Sequence, residues 1–238
     1  MFATVTPFAG ASPFNDWFVP DTTQRHQLGL KLVGVDNYWG LGGFIYLKSN
    51  DTIIKGSVVQ LDEIYQATLI PNTANLGRPV AIAMNAMASG TYGWFQVEGR
   101  AVYKTNATVA ADASIGIGAA GILGTNSAGK QILGIRNRIA ATGTTTFTAL
   151  TFNGTNRIYC PSGYDGVFLG MALSGTGVGA SAVAAALDPD GKTIYAGTAV
   201  GTASGANSTA TGSITLTGTY TGYGSGIIHC PFAQGAIT

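Results

Sequence analysis

Charge is what this chain of 238 residues has least of. Asp, Glu, Lys and Arg together make up 10% of it, against roughly 25% in an ordinary soluble domain. Histidine and cysteine occur twice each. So small a stock of ionisable groups leaves little material for acid–base or metal chemistry, and the chain reads as a non-enzyme with no catalytic, cofactor or metal residues. Twelve Lys and Arg stand against eleven Asp and Glu, a net charge of +1. There is no basic field to hold phosphates, so nucleic acid is not an expected partner. Gly or Thr interrupts every apolar stretch before it reaches the roughly 18 residues of a membrane helix, so no membrane is expected either. The opening MFATVTPFAGASPF has no basic stretch and no continuous apolar run, and it does not read as a secretory leader.

Two cysteines far apart cannot form a disulfide framework. Cys160 and Cys230 each precede a proline, which favours extended backbone at both. Two buried thiols are the first expectation, and a single bridge between them is the alternative.

In place of charge the chain has 35 glycines and 46% hydrophobic residues, with much Ala, Thr and Ser. A surface so poor in fixed charge suits a molecule that lies against other protein. The glycines also create false motifs. Gly116-Ile-Gly118-Ala-Ala-Gly121 matches the dinucleotide pattern G-x-G-x-x-G. That site needs a helix to follow and an acidic residue about 20 positions on. Gly124, Asn126 and Gly129 oppose a helix, and no acid occurs between Asp112 and Asp165. Gly124 to Lys130 satisfies G-x-x-x-x-G-K, but Gln131 stands where Ser or Thr must hold magnesium. Asp188-Pro-Asp190-Gly191 resembles the start of a calcium loop, yet Lys192, Ala196 and Ala199 occupy later ligand positions. It reads as a tight turn. Asp62-Glu63 reads as a solvated turn. His26 and His229 lack the partners of a nucleophilic triad, and consecutive residues such as His229 and Cys230 face opposite sides of a strand.

Along the chain, residues 1–27 form an extended N-terminal arm. Pro7, Pro13 and Pro20 exclude a helix or central strand, while Phe2, Phe8, Phe14, Trp17 and Phe18 are spread between them. A disordered tail lacks aromatics, whereas an arm that sets aromatic anchors into a neighbour needs them; an arm that packs on its own domain is the alternative. From residue 28 onward short strands alternate with Gly- and Asn-rich turns, which predicts an all-β fold of barrel or sandwich type. A bulge is expected near Gly42-Gly43. Ile122-Leu-Gly and Ile132-Leu-Gly bracket a loop and read as a β-hairpin. The compact core is expected over 28–142, and a Gly/Thr/Ser-rich second β region over 143–238. Within it only Ser181–Leu187 has helical propensity. Tyr92 and Trp94 fall on one side of a strand and Phe95 on the other.

One ordered set of motifs points to a family. Phe44-Ile-Tyr-Leu leads into Ile53-Ile-Lys-Gly-Ser-Val-Val, then Gly77-Arg-Pro-Val-Ala-Ile-Ala. Gly90-Thr-Tyr-Gly-Trp-Phe-Gln-Val-Glu-Gly-Arg-Ala and Val109-Ala-Ala-Asp-Ala-Ser-Ile-Gly-Ile follow. This series, about a third of the chain, resembles the capsid decoration, or head cement, proteins of tailed bacteriophages. Arg78 and Pro79 interrupt the middle motif. The resemblance implies a small β-barrel or β-tulip-like core, and a non-enzymatic virion protein on the outer surface of an icosahedral capsid. It implies the major capsid protein as partner, self-association as a homotrimer, and synthesis in the host cytoplasm. Phe2, Phe8, Phe14, Trp17 and Phe18 are the expected capsid or subunit contacts. The alternative is a carbohydrate- or receptor-binding β domain of a fibre or surface layer, with Trp39 and Trp94 among its exposed aromatics.

Overall fold

The computed structural model describes residues 2–4, 19–36, 40–164, 167–188, 190–199 and 202–236. Among these residues the fold is all-β, without a helix. The strands are β1 (Phe2–Thr4), β2 (Lys31–Asp36), β3 (Gly40–Ser49), β4 (Val58–Leu61), β5 (Gln66–Leu69), β6 (Val80–Ala83), β7 (Tyr92–Lys104), β8 (Ser114–Ala119) and β9 (Ile122–Thr125). They continue with β10 (Gln131–Arg136), β11 (Thr142–Thr151), β12 (Arg157–Tyr159), β13 (Ala172–Ser174), β14 (Val183–Leu187), β15 (Thr193–Gly197), β16 (Gly212–Thr221) and β17 (Tyr223–Ala233).

The chain forms two compact units: residues 1–141 with 222–238, and residues 142–221. The expected second region at 143–238 is thus divided. Its last strand, β17, pairs with β7 and β10 in the first unit. No sequence signal marks that return, because β16 and β17 are separated by Gly222 alone.

In the first unit the sheet order is β1-β2-β3-β5-β4-β6-β7-β17-β10-β8-β9, and β3 also pairs with β7. That extra pairing closes β3, β5, β4, β6 and β7 into a ring. Alternation sorts the side chains. Ile45, Leu47, Val59, Leu61, Ala67, Ala81, Ala83 and Phe95 share one buried cluster. Phe44, Tyr46 and Trp94 turn the other way and pack with Leu32 and Met84. The expected bulge is present, as a register shift between Gly43 and Phe44 against β7. Closure also depends on Gly99, which has φ +94 and lies so close to β3 that a Cβ would run into the Leu41 carbonyl. Only glycine combines that backbone with that approach.

The hairpin expected around residues 124–130 does not form. β8 lies between β9 and β10 and pairs with both. The G-x-G-x-x-G segment runs along β8 and ends in the β8–β9 turn, with Gly121 at φ +69. Lys130 Nζ donates to Asn72 Oδ1 at 2.7 Å and faces no phosphate cradle.

The second unit is a closed barrel in the order β11-β12-β15-β14-β13-β16. β11 and β16 pair over ten residues without a shift, so Thr142, Thr144, Thr146 and Thr148 stand opposite Thr221, Thr219, Thr217 and Thr215. Ile158, Ile194, Ala196, Leu216 and Cys160 are buried. The stretch expected to be most helical is strand β14, held between β13 and β15. Two partner strands outweigh a weak local preference. The Gly191 N–H donates to the Asp188 carbonyl at 3.2 Å, as the expected turn requires. Asp190 accepts from the N–H groups of Lys192 and Thr193 at 2.7 and 2.8 Å.

Both cysteines are free thiols, but only Cys160 is buried. Burial, with the nearby Asp190 charge, pushes its thiol up to about 11. Cys230 is exposed and has φ +41, not the extended backbone expected before proline. Between the pairs Ile135–Ile228 and Leu133–Phe232, three residues of β17 stand against Gly134 alone. The surplus bulges, and Cys230 lies in it.

Two measurements follow. The N–H of Gly222 donates to the Ala141 carbonyl at 2.7 Å, and both belong to the first unit. Joining Ala141 directly to Gly222 should therefore leave a folded first unit with a cooperative melt. Burial also pushes Lys55 down to about 8, while an unfolded lysine titrates near roughly 10.4. The unfolded chain then binds the extra proton, so stability rises with pH through this window. Urea denaturation should show a gain of about 1–2 kcal/mol between roughly pH 7 and 9.5, absent in Lys55→Met.

Candidate functional site at the foot of the N-terminal arm

Of the five residues expected to make contacts, Phe2 lies on β1, where its backbone pairs with Asp36 of β2. Phe8, Phe14, Trp17 and Phe18 lie outside the described residues, as does Trp39. What the structure describes is the place where the arm meets the ring.

Residues 19–30 run along the ring as a strap, and Asp21 fixes it. Its backbone forms a two-way bridge with Tyr92 of β7, with N–H···O distances of 2.8 and 2.9 Å. Its carboxylate is only 5% exposed. Tyr46 of β3 donates its hydroxyl to Asp21 Oδ2 at 2.7 Å. Arg25 places Nε 2.9 Å from Asp21 Oδ1, and its N–H donates to Tyr46 Oη at 3.3 Å. One residue thus joins the strap to both strands of the ring-closing seam, through its backbone to β7 and through its carboxylate to β3. Burial, reinforced by the Asp21 carboxylate, raises the Tyr46 phenol well above its ordinary range. It remains a donor at every physiological pH.

Aromatic rings enclose this anchor. Tyr46 stands 5.2 Å from Trp94 and lies nearly parallel to Tyr92 at 6.4 Å. His26 meets Tyr46 edge-on at 5.0 Å and Trp94 at 5.5 Å. Its Nε2 is buried without a hydrogen-bond partner. Farther along, the Gly29 N–H donates to the Tyr46 carbonyl, and the Tyr46 N–H donates to that of Leu30, both at 2.9 Å. Tyr65, itself at φ +60, lays its ring over Gly29 so closely that no Cβ would fit there.

The expected sidedness holds: Tyr92 and Trp94 pack in one cluster and Phe95 in the other. Trp94 is 1% exposed, so it forms no sugar-stacking platform. Gly93 makes room for Met87, whose sulfur would lie 2.8 Å from a Cβ there.

The arrangement ties the strap to the ring. Among the described residues no three His, Cys, Asp or Glu side chains converge as a metal site would require. A hollow of about 230 Å³ is lined by Gln60, Leu61, Asp62, Gln66, Thr68 and Arg78. It is smaller than the roughly 300 Å³ at which ligand pockets begin. Sequence reasoning placed His26 at the junction but missed Asp21, Arg25 and Tyr46. The only local signal was the Asp–Arg spacing of four, and the tyrosine partner lies 25 residues away. Comparison with protein-family models, with curated proteins and with solved structures yields no match for this chain.

A hydrogen bond to a buried carboxylate contributes about 1.5–3 kcal/mol. The Arg25 side chain is 60% exposed, so its ion pair adds little. Tyr46→Phe should therefore destabilise the first unit by about 1–3 kcal/mol in chemical denaturation, and Asp21→Ala by at least as much. Arg25→Ala should cost under about 1 kcal/mol. Limited proteolysis should then cut within 19–30 in Asp21→Ala but not in the parent chain.

Proposed function

We propose that this chain is a non-enzymatic structural protein of a tailed-phage virion. It binds the outer surface of an icosahedral capsid and bridges adjacent major capsid proteins. The observation that carries the reading is the Asp21 anchor. An arm rich in aromatics leads directly into a strap held on the closed ring by backbone and side-chain bonds together. Such a joint suits tension, because a pull on the arm is resisted by β3 and β7 at once. The charge-poor composition and the ordered motifs of the resemblance support the same reading.

In this mechanism Phe2, Phe8, Phe14, Trp17 and Phe18 fill apolar pockets of the shell. Each site contributes modest affinity, and a homotrimer on a repeating lattice multiplies it. The protein is made in the host cytoplasm and resides on the capsid surface.

Cryo-electron microscopy and mass spectrometry of purified virions should find the chain on the outer shell, in a fixed ratio to the major capsid protein. Removing residues 2–20, which include strand β1, should abolish binding to those shells and leave the remaining β core folded. Binding that survives the truncation removes the arm from the mechanism. Virions without the chain end the reading.

A further inference from the structure

The hollow beside β4 and β5 is built by strand register. Gln60 of β4 stands between Thr68 of β5 and Val80 of β6. Two residues on, the same pairings bring Asp62 between Gln66 and Arg78. The Leu61 N–H donates to the Pro79 carbonyl at 3.0 Å, and the Asp62 N–H to the Gln66 carbonyl at 3.1 Å. Side chains alternate along a strand, so Thr68, Gln60 and Val80 form one row of a sheet face, and Gln66, Asp62 and Arg78 form the next. Ala67 and Ala81 of the intervening rows belong to the buried cluster of the ring. Five polar side chains thus line one hollow of about 230 Å³.

Their hydrogen-bonding capacity is only partly used. Gln60 Nε2 donates to Thr68 Oγ1 at 3.2 Å, while Gln60 Oε1 is buried without a partner. Exchanging the two ends of the amide moves the orphan to Nε2 and does not remove it. A buried polar group left unpaired is unfavourable and rare. Asp62 Oδ1 accepts from the N–H groups of Ile64 and Gln66 at 3.1 and 2.7 Å, which leaves Oδ2. Gln66 Oε1 accepts from Asn50, which leaves its amide N–H groups. Arg78 gives one N–H to Glu63 at 2.9 Å, and its guanidinium carries further donors. The hollow therefore joins acceptors on Gln60 and Asp62 with donors on Thr68, Gln66 and Arg78.

We propose that this hollow binds one sugar ring, free or at the end of a glycan. A sugar hydroxyl donates and accepts at once, so it can satisfy a carboxylate on one side and a guanidinium or amide N–H on the other. An anion would meet the Asp62 carboxylate, and an ammonium ion the Arg78 guanidinium. A neutral polyol meets both without repulsion. The hollow is below the size of a pocket for drug-sized ligands, which limits the occupant to a single ring partly in solvent. Few contacts and an open site make the binding weak, with a Kd in the millimolar range. The site uses no aromatic platform and is independent of the shell reading.

Saturation-transfer NMR of the whole chain with glucose, galactose, mannose and N-acetylglucosamine, each at millimolar concentration, should show transfer to at least one of them. Asp62→Asn keeps an oxygen for the Ile64 and Gln66 N–H groups but puts a donor in place of Oδ2. It should weaken binding about tenfold, as the loss of one charge-assisted hydrogen bond does, with an unchanged melt. Thr68→Val keeps the shape of β5 and removes the hydroxyl; it should also weaken binding, and it serves alone if Asp62→Asn fails to fold. Repeating the titration with the methyl glycoside separates the two sources. Binding that survives methylation assigns the site to a terminal glycan ring, and binding that is lost assigns it to the free sugar. No transfer to any of these sugars overturns the proposal, as does transfer undiminished in both variants. Shell binding should be equal in Asp62→Asn and the parent chain, so a failure here leaves the shell reading standing, and a failure there leaves this site.

Discussion

The seam between β3 and β7 turns a succession of short strands into a ring, and most features of the first unit depend on it. It separates Ile45 and Phe95 from Phe44, Tyr46 and Trp94, so that one pair of strands serves two buried clusters. It supplies Tyr46 and Tyr92, through which Asp21 is held to the ring. Gly99 is where the seam is most constrained. The backbone there is left-handed and in contact with the facing strand, so the ring closes only around a residue without a side chain.

An anchor made in this way has a useful asymmetry. Asp21 is bound through its main chain to one strand and through its side chain to the other. The backbone bridge gives position, and the carboxylate gives specificity for this segment over other extended peptide. A buried acid without such partners would be strongly unfavourable. Here the phenol, the guanidinium and the surrounding rings provide partners while excluding water. The strap is thereby part of the folded unit even though it contributes few apolar side chains of its own.

Much of this architecture was legible in the sequence because period-two alternation is a local property. The all-β class, the bulge at Gly42-Gly43 and the opposite facing of Trp94 and Phe95 all follow from residues a few positions apart. Non-local pairing was not legible. Nothing in Ile122-Leu-Gly and Ile132-Leu-Gly reveals that β8 intervenes between them. The return of β17 to the first unit was equally hidden, since only Gly222 separates it from β16 and the partners of β17 lie far off in the chain. Ser181–Leu187 misled because alanine favours helix only when no neighbouring strand competes for its backbone. At the candidate site the junction was visible through the prolines and His26, while the Asp21–Tyr46 bond spans 25 residues and needed the fold.

The second unit leaves its host through two adjoining strands. Its first residue pairs with its last, Thr142 with Thr221, and the pairing then runs inward without a break. A force that draws the insert away from its host acts on both ends at the same point. It loads the ribbon as a zipper, one residue pair after another, and never shears all ten pairs together. The barrel can therefore peel open progressively from its tethered end.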